Sequence, residues 1–167
     1  MNEAEKLPVL KKALQELLPV MRQQDQITIV SYSGTARLLL PATSASEQEQ
    51  ILRIISELKT DALSDANQGL SLAYENALKN FIENGNNRII LATDGKFELG
   101  RKTRKLIKKS KKKQVFLSIF YFSKKEYKEI QTNLTEISEL GGGTYRYVQP
   151  ENAEKCLLLE AQSFIKK

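Results

Sequence analysis

The sequence predicts a doubly wound α/β domain, a mostly parallel sheet flanked by helices with one antiparallel strand at its edge. Three observations carry this. From about Glu47 to the end, strand-length apolar runs alternate with segments of helical period. Two of those runs, Arg88 to Thr93 and Val115 to Tyr121, are almost continuously apolar, and Gln26 to Tyr32, β-branched and mostly apolar, fits a strand covered on both faces. Ahead of them, Gln26 to Tyr32 and Arg37 to Leu40 are separated only by a short turn at Ser33-Gly34, which makes them an antiparallel hairpin. The chain's 167 residues, 41% of them hydrophobic, make one domain with one sizeable core, spanning 1–167.

The elements follow in order. Val9, Leu10, Ala13, Leu14, Leu17, Leu18 and Met21 recur at three and four, so a helix is expected from Lys6 to Met21 with Pro8 in its first turn. The hairpin comes next, its second strand ended by Pro41. Ser44 and Ser46 are N-cap candidates for a helix whose apolar face is Ile51, Leu52, Ile54, Ile55 and Leu58. A polar loop, Lys59 to Asn67, leads to a helix carrying Leu70, Ala73, Tyr74, Ala77, Leu78 and Phe81, which Asn84-Gly85-Asn86 should stop. After the strand Arg88 to Thr93 come a basic helix, the strand to Tyr121, a helix from about Lys124 to Leu140, a glycine turn at 141–143, a short strand Thr144 to Val148 and a last helix. The longest apolar stretches fall far short of the roughly 20 residues that span a bilayer. The N-terminus has no apolar signal region, so the chain as it stands is expected to stay in the cytoplasm.

Composition excludes several chemistries. Histidine is absent, which removes the commonest general base and the commonest zinc ligand. The single cysteine, Cys156, lies in a stretch of helical apolar spacing and reads as a buried thiol. No glycine-rich phosphate loop follows a strand. The net charge of +6 is local: Arg101, Lys102, Arg104, Lys105, Lys108, Lys109, Lys111, Lys112 and Lys113 supply nine bases in thirteen residues. Without them, 26 − 9 = 17 bases face 20 acids, a balance of −3. Thr103, Leu106, Ile107 and Ser110 fall on one face of this segment, which predicts a helix docked on the sheet with its bases in water. The segment is also the handle for an alternative function, binding of nucleic acid or an anionic surface, although no aromatic residue is interleaved to stack on bases.

In open parallel sheets, ligands bind in the crevice outside the carboxyl ends of the strands. Asp94, in Thr93-Asp94-Gly95, sits just past such an end. The loop Thr60-Asp61-Ala62-Leu63-Ser64-Asp65-Ala66-Asn67 supplies the hydroxyls and carboxylates that could reach it, and hard oxygen ligands suit Mg²⁺.

With these residues in place, the segments KLPVLKKAL, DQITIVSYSGTARLLLP, GLSLAYENA, NNRIILATDGKFELG and GGGTYRYV resemble, in order and spacing, the bacterial branch of the von Willebrand factor type A (vWA) family. The resemblance implies a Rossmann-like, noncatalytic protein-protein interaction module. Its metal ion-dependent adhesion site is built from an Asp-x-Ser-x-Ser motif after the first strand, a middle-loop Thr and an Asp after the fourth strand. The metal in turn coordinates an acidic residue of the partner. By position, Asp94 matches the third-loop aspartate and Ser64 the middle-loop hydroxyl. Asp65 and Lys96 lie beside them as expected partner contacts, Lys96 standing where an acidic or neutral residue is usual. The Asp-x-Ser-x-Ser motif is absent, and Met1 stands where that motif would close. The resemblance thus implies that the central first strand of the family's 3-2-1-4-5-6 order is missing, so that Mg²⁺ is expected to bind weakly or not at all. Either the strands at 27–32 and 88–93 close up on each other, or they leave two apolar edges open to self-association and marginal stability. A phosphoacceptor role for Asp94, as in receiver-type signalling domains, would need an acidic pair near the first strand, and none is visible.

Overall fold

A computed structural model of the chain describes residues 6–59, 65–95 and 97–162. It contains helix α1 (Lys6–Leu17), a 3₁₀ turn (Leu18–Val20), the strands β1 (Gln26–Ser31) and β2 (Arg37–Ser44), helices α2 (Gln48–Glu57) and α3 (Ala66–Lys79), and strand β3 (Arg88–Thr93). Helix α4 (Arg101–Lys111), strand β4 (Phe116–Phe122), helix α5 (Lys128–Gly141), strand β5 (Gly142–Val148) and helix α6 (Ala153–Ala161) complete it.

The apolar runs become parallel strands because each is followed by an amphipathic helix that returns the chain to the same end of the sheet. β3, β4 and β5 lie side by side in that order, with Arg88 opposite Phe116 and Thr93 opposite Tyr121. Alternation along β4 sorts the core into two layers. Leu117, Ile119 and Tyr121 pack with Leu70 and Tyr74 of α3, Ile107 of α4, and Leu134 and Ile137 of α5. Phe120 and Phe122 pack on the other face with Ala13 of α1 and Ala153, Cys156 and Leu157 of α6. β1 and β2 form a separate two-stranded antiparallel sheet over a third cluster, Leu18, Leu40, Ile51 and Ile55.

Among the described residues no ladder joins β1 to β3. Of the two outcomes expected for a sheet without its central strand, the structure adopts the second: the halves stay apart with an edge of each unpaired. The Tyr32 side chain crosses between them. The Tyr32 hydroxyl, just past β1, donates to the carbonyl of Ala92 on β3 at 2.6 Å. Gly69 of α3 permits this, since a Cβ there would lie 2.6 Å from the Tyr32 Cβ.

Several boundaries differ from the expected ones. The first helix ends at Leu17 because Pro19 cannot continue its ladder, and a 3₁₀ turn takes the remainder. β2 does not end at Pro41. It runs on to Ser44 because the pairing shifts from Leu40 opposite Ile29 to Thr43 opposite Ile27, a bulge that houses the proline on an edge strand. Neither Ser44 nor Ser46 caps α2, whose N-cap is Glu47 with no side-chain cap bond; the two hydroxyls bond each other instead. α3 starts two residues before Gln68 and ends at Lys79, leaving Phe81 beyond it and 38% exposed. α5 begins at Lys128 and reaches Gly141, and the chain turns through a left-handed Gly142 directly into β5.

At the amino ends of the parallel strands lies a buried charge network. Glu160 of α6, fully buried, accepts from Arg88 of β3 at 2.6 Å, Thr144 of β5 at 2.7 Å and Arg146 of β5 at 3.3 Å, and from Ser118 of β4. Burial alone would raise the pKa of Glu160. The hydrogen bonds from Ser118 and Thr144 and the charges of Arg88 and Arg146 outweigh it, so the carboxyl sits below its ordinary range. This network fixes α6 against three adjacent strands.

Candidate functional site at the strand ends

Asp94 follows the last residue of β3 and is half-buried. The turn after it is tight. The Gly95 N–H bonds the Thr93 hydroxyl at 3.0 Å, and Gly95 takes φ +87, where a Cβ would lie 2.3 Å from the Ile130 Cγ2 of α5. Only glycine fits that turn, which is why the aspartate is placed so closely at the strand end.

The Tyr32 side chain flanks this position. Its pKa is pushed up to about 12, chiefly by burial, with the Asp94 charge adding to the rise and a hydrogen bond with Thr93 opposing it. The phenol is therefore a neutral hydrogen-bond donor at any physiological pH.

Of the loop expected to share the crevice, residues 65–67 are described and residues 60–64 lie outside the described part. Asp65 caps α3, its carboxylate accepting from the N–H groups of Asn67 at 2.9 Å and Gln68 at 3.3 Å. Asn67 then reaches the segment beyond Asp94: its amide nitrogen donates to the Glu98 carbonyl at 2.9 Å, and its oxygen accepts from the Gly100 N–H at 2.8 Å. These two bonds tie the start of α3 to the segment that leads into α4. Asn67 was not among the residues singled out in the sequence. Its signal is weak, since a loop asparagine is commonplace, and only the pairing of both amide atoms with one distant segment marks it as a clamp.

Ser64 and Lys96 lie outside the described residues. Among the described residues no group of three or more carboxylate or cysteine side chains comes together in a way that could hold a metal ion. The donors expected from the sequence thus do not form a metal site by themselves within the described part. Asp94 contributes one carboxylate, and that of Asp65 is committed to its helix.

The carboxyl ends of β4 and β5 extend the rim with aromatic groups. Tyr145 donates to Glu126 at 2.8 Å, Tyr147 donates to the Ser123 carbonyl at 2.9 Å, and the Tyr121 and Tyr147 rings lie 5.8 Å apart. Burial, then the bond to Glu126, raises the Tyr145 pKa strongly.

The basic segment forms α4 as expected. Thr103, Ile107 and Ser110 are buried and Leu106 half-buried, while its arginines and lysines are exposed. Lys111 reaches the Glu139 carbonyl at 3.0 Å and so helps close the end of α5. Cys156 is buried on α6, and burial raises its thiol pKa, so it is an unreactive core residue. No helix among the described residues is long and apolar enough to cross a membrane.

Comparison with known proteins places this geometry. The Escherichia coli (strain K12) uncharacterized protein YfbK is 35% identical over 166 residues, covering 96% of this chain and 28% of YfbK. The chain therefore spans little more than a quarter of that relative. Among solved structures, a von Willebrand factor type A protein from Catenulispora acidiphila superposes with a TM-score of 0.77 at 14% identity, over 94% of this chain and 38% of that one. BatB from Bacteroides thetaiotaomicron gives 0.73 at 18% identity, over 92% and 85%. Proximal thread matrix protein 1 from the mussel byssus, in a form with a zinc-occupied MIDAS motif, gives 0.73 at 17% identity, over 96% and 43%. These likenesses show a shared fold. The sequence profile of the von Willebrand factor type A domain matches residues 3–157, and the chain belongs to that family.

Proposed function

We propose that this vWA domain is a noncatalytic protein-binding module that reads its partner at the carboxyl-end rim around Asp94. vWA domains are commonly interaction modules, and some carry a metal ion-dependent adhesion site, as the zinc-occupied mussel protein does. The observation that supports the reading most is the placement of Asp94 just past the end of β3, where the Gly95 turn holds the chain tightly against α5.

Asp94 and Ser64 make up half of such a site, with Asp65 and Lys96 at its margin as partner contacts. The other half belongs to the Asp-x-Ser-x-Ser motif that this sequence lacks. Lys96 adds an ammonium that opposes a divalent cation. Mg²⁺ affinity is accordingly weak or nil in this chain, and rises when a strand bearing the family's motif is supplied ahead of Met1. Calorimetric titration of Mg²⁺ into both forms tests this. Tight binding by the present chain, or none by the extended one, would contradict it.

The exposed bases of α4 support a second, lesser reading, attachment to a polyanionic surface. Its signature is a steep loss of binding to duplex DNA or anionic vesicles between low and physiological salt.

A further inference from the structure

Two helix N-termini lie side by side, joined by Asn67, and the chain treats them differently. α3 is closed by its own Asp65, whose carboxylate takes the N–H groups of Asn67 and Gln68. α4 starts from Gly100, which has no side chain to offer. Its first bond runs from the Arg104 N–H to the Gly100 carbonyl, leaving the N–H groups of Arg101, Lys102 and Thr103 as the open donors of the helix start. Among the described residues no side chain takes them up.

The usual electrostatic compensation is reversed as well. A helix N-terminus carries partial positive charge and favours acids in its first turn. α2, α5 and α6 follow that rule with Glu49, Glu129 and Glu154. α4 has no acid there; Arg101 and Lys102 occupy the turn, both exposed.

A side chain points the same way independently. Thr103 is 4% exposed, and its hydroxyl bonds no described residue. A buried hydroxyl left unpaired is destabilising. Its Oγ1 lies 3.9 Å from where a Cβ on Gly100 would stand, so it is aimed at the position a capping side chain would fill. Thr103 also lines a groove of about 680 Å³ whose other wall is α3 at Gln68, Leu72 and Glu75.

Three backbone donors, a hydroxyl and two flexible cations thus converge at one end of this groove. Four donors outnumber the two oxygens of a carboxylate and suit a doubly charged group with three free oxygens. The groove is of the size that takes small organic ligands, so the anion is one end of a larger body. Glu75 on the far wall disfavours a carrier with further negative charge.

We propose that the start of α4 binds a phosphate monoester, held by the N–H groups of Arg101, Lys102 and Thr103, the Thr103 hydroxyl and the two basic side chains. The site stands apart from the Asp94 reading, since it needs no metal and no acidic partner residue. It also differs from attachment of a polyanion along α4, because the bases at the far end of the helix take no part.

The test follows amide NMR shifts of the full chain in buffer containing EDTA, with ionic strength held constant by sodium chloride. Inorganic phosphate should move the Arg101, Lys102 and Thr103 amides along a saturating curve, and acetate should bind at least about tenfold more weakly. A peptide with a central phosphoserine and glycerol phosphate separate the two carriers, a modified partner chain and a small ester. Tighter binding of either than of inorganic phosphate supports the site and names its carrier; binding of neither overturns the proposal. Gly100→Asp supplies the cap and puts an acid where the phosphate would sit, with the Asn67 Oδ1 3.2 Å from the new Cβ. It should raise the melting temperature and weaken phosphate binding at least about tenfold. Thr103→Val should leave melting unchanged or raised, yet weaken binding about fivefold. Replacing Lys108 and Lys109 by glutamine should change binding less than about twofold. Equal binding of acetate, shifts spread evenly along α4, or binding lost with Lys108 and Lys109 but kept in Gly100→Asp would each overturn the proposal.

Discussion

β3 and β4 are neighbours in one sheet, similar in length and both mostly apolar, yet they live in different surroundings. β4 has a strand on each side, and every residue from Leu117 to Phe122 is buried. β3 has a strand on one side only; Leu91 and Thr93 are buried, and the other four residues, including Ile89 and Ile90, are half-exposed. Both strands read as near-continuous apolar runs in the sequence, whereas Gln26 to Tyr32, which read as covered on both faces, forms a strand with two exposed positions. The difference teaches that apolar character records the environment a strand is suited to, and pairing decides whether it receives it. The closed half of the molecule, β3 to β5 with α4 to α6, is bolted by the Glu160 network; at the other edge of β3, the Tyr32 hydroxyl reaches the Ala92 carbonyl from the hairpin half.

That contrast is open to attack at several points. The largest effect should come from the closed half. Glu160→Gln leaves the nearly buried Arg88 without its carboxylate partner and takes the same partner from the part-exposed Arg146, and denaturant unfolding should show a loss of about 3–5 kcal/mol. Because the Glu160 pKa is held below its unfolded value, its contribution is present above the unfolded pKa and fades as pH falls through the folded one. The wild-type chain should therefore lose stability on acidification more steeply than the glutamine variant, in parallel melts across that acid range.

Next come paired truncations of the two strands. Leu117→Ala in β4 should cost about 2–5 kcal/mol, the range for a buried leucine with little room to collapse. Ile90→Ala in β3 should cost roughly half as much, because its side chain is already part-solvated. Equal losses would erase the contrast.

Smaller again is Tyr32→Phe, which removes the hydrogen bond to the Ala92 carbonyl and should cost about 1 kcal/mol. With its pKa raised to about 12, the bond persists below the unfolded tyrosine value and is lost as pH climbs through the folded one. Phenol absorbance followed during alkaline titration would register that order. At the bottom of the scale, Tyr74→Phe should leave stability unchanged or improve it by up to about 1 kcal/mol, since the buried Tyr74 hydroxyl has no hydrogen-bond partner among the described residues.

Much of this fold was legible because its signals are local. The span of β3 matched, the faces of α2 and α4 docked as their spacing requires, and the glycine after Asp94 marked a strand-end turn. The hairpin was legible too, but not the continuation of β2 through Pro41, because a bulge depends on the partner's register. The Glu160 network stayed hidden for a related reason. Its carboxylate and Arg88 are 72 residues apart, and a lone acid in an apolar helical stretch looks like a solvated position until the fold brings two arginines to it. At the candidate site, the position of Asp94 could be read from the strand ending at Thr93. The roles of Asn67 and Tyr32 could not, because each acts on backbone atoms of a distant segment.

Among the described residues no strand pairs with the outer edge of β3, and native-state amide exchange along that strand reads this edge directly. Alternation is expected, with Ile89 and Leu91, bonded to β4, exchanging slowly, and Ile90 and Ala92, on the outer edge, exchanging at least about tenfold faster. Uniformly slow exchange at all four residues in the isolated chain would show that β1 and β3 have closed on each other, and would contradict it.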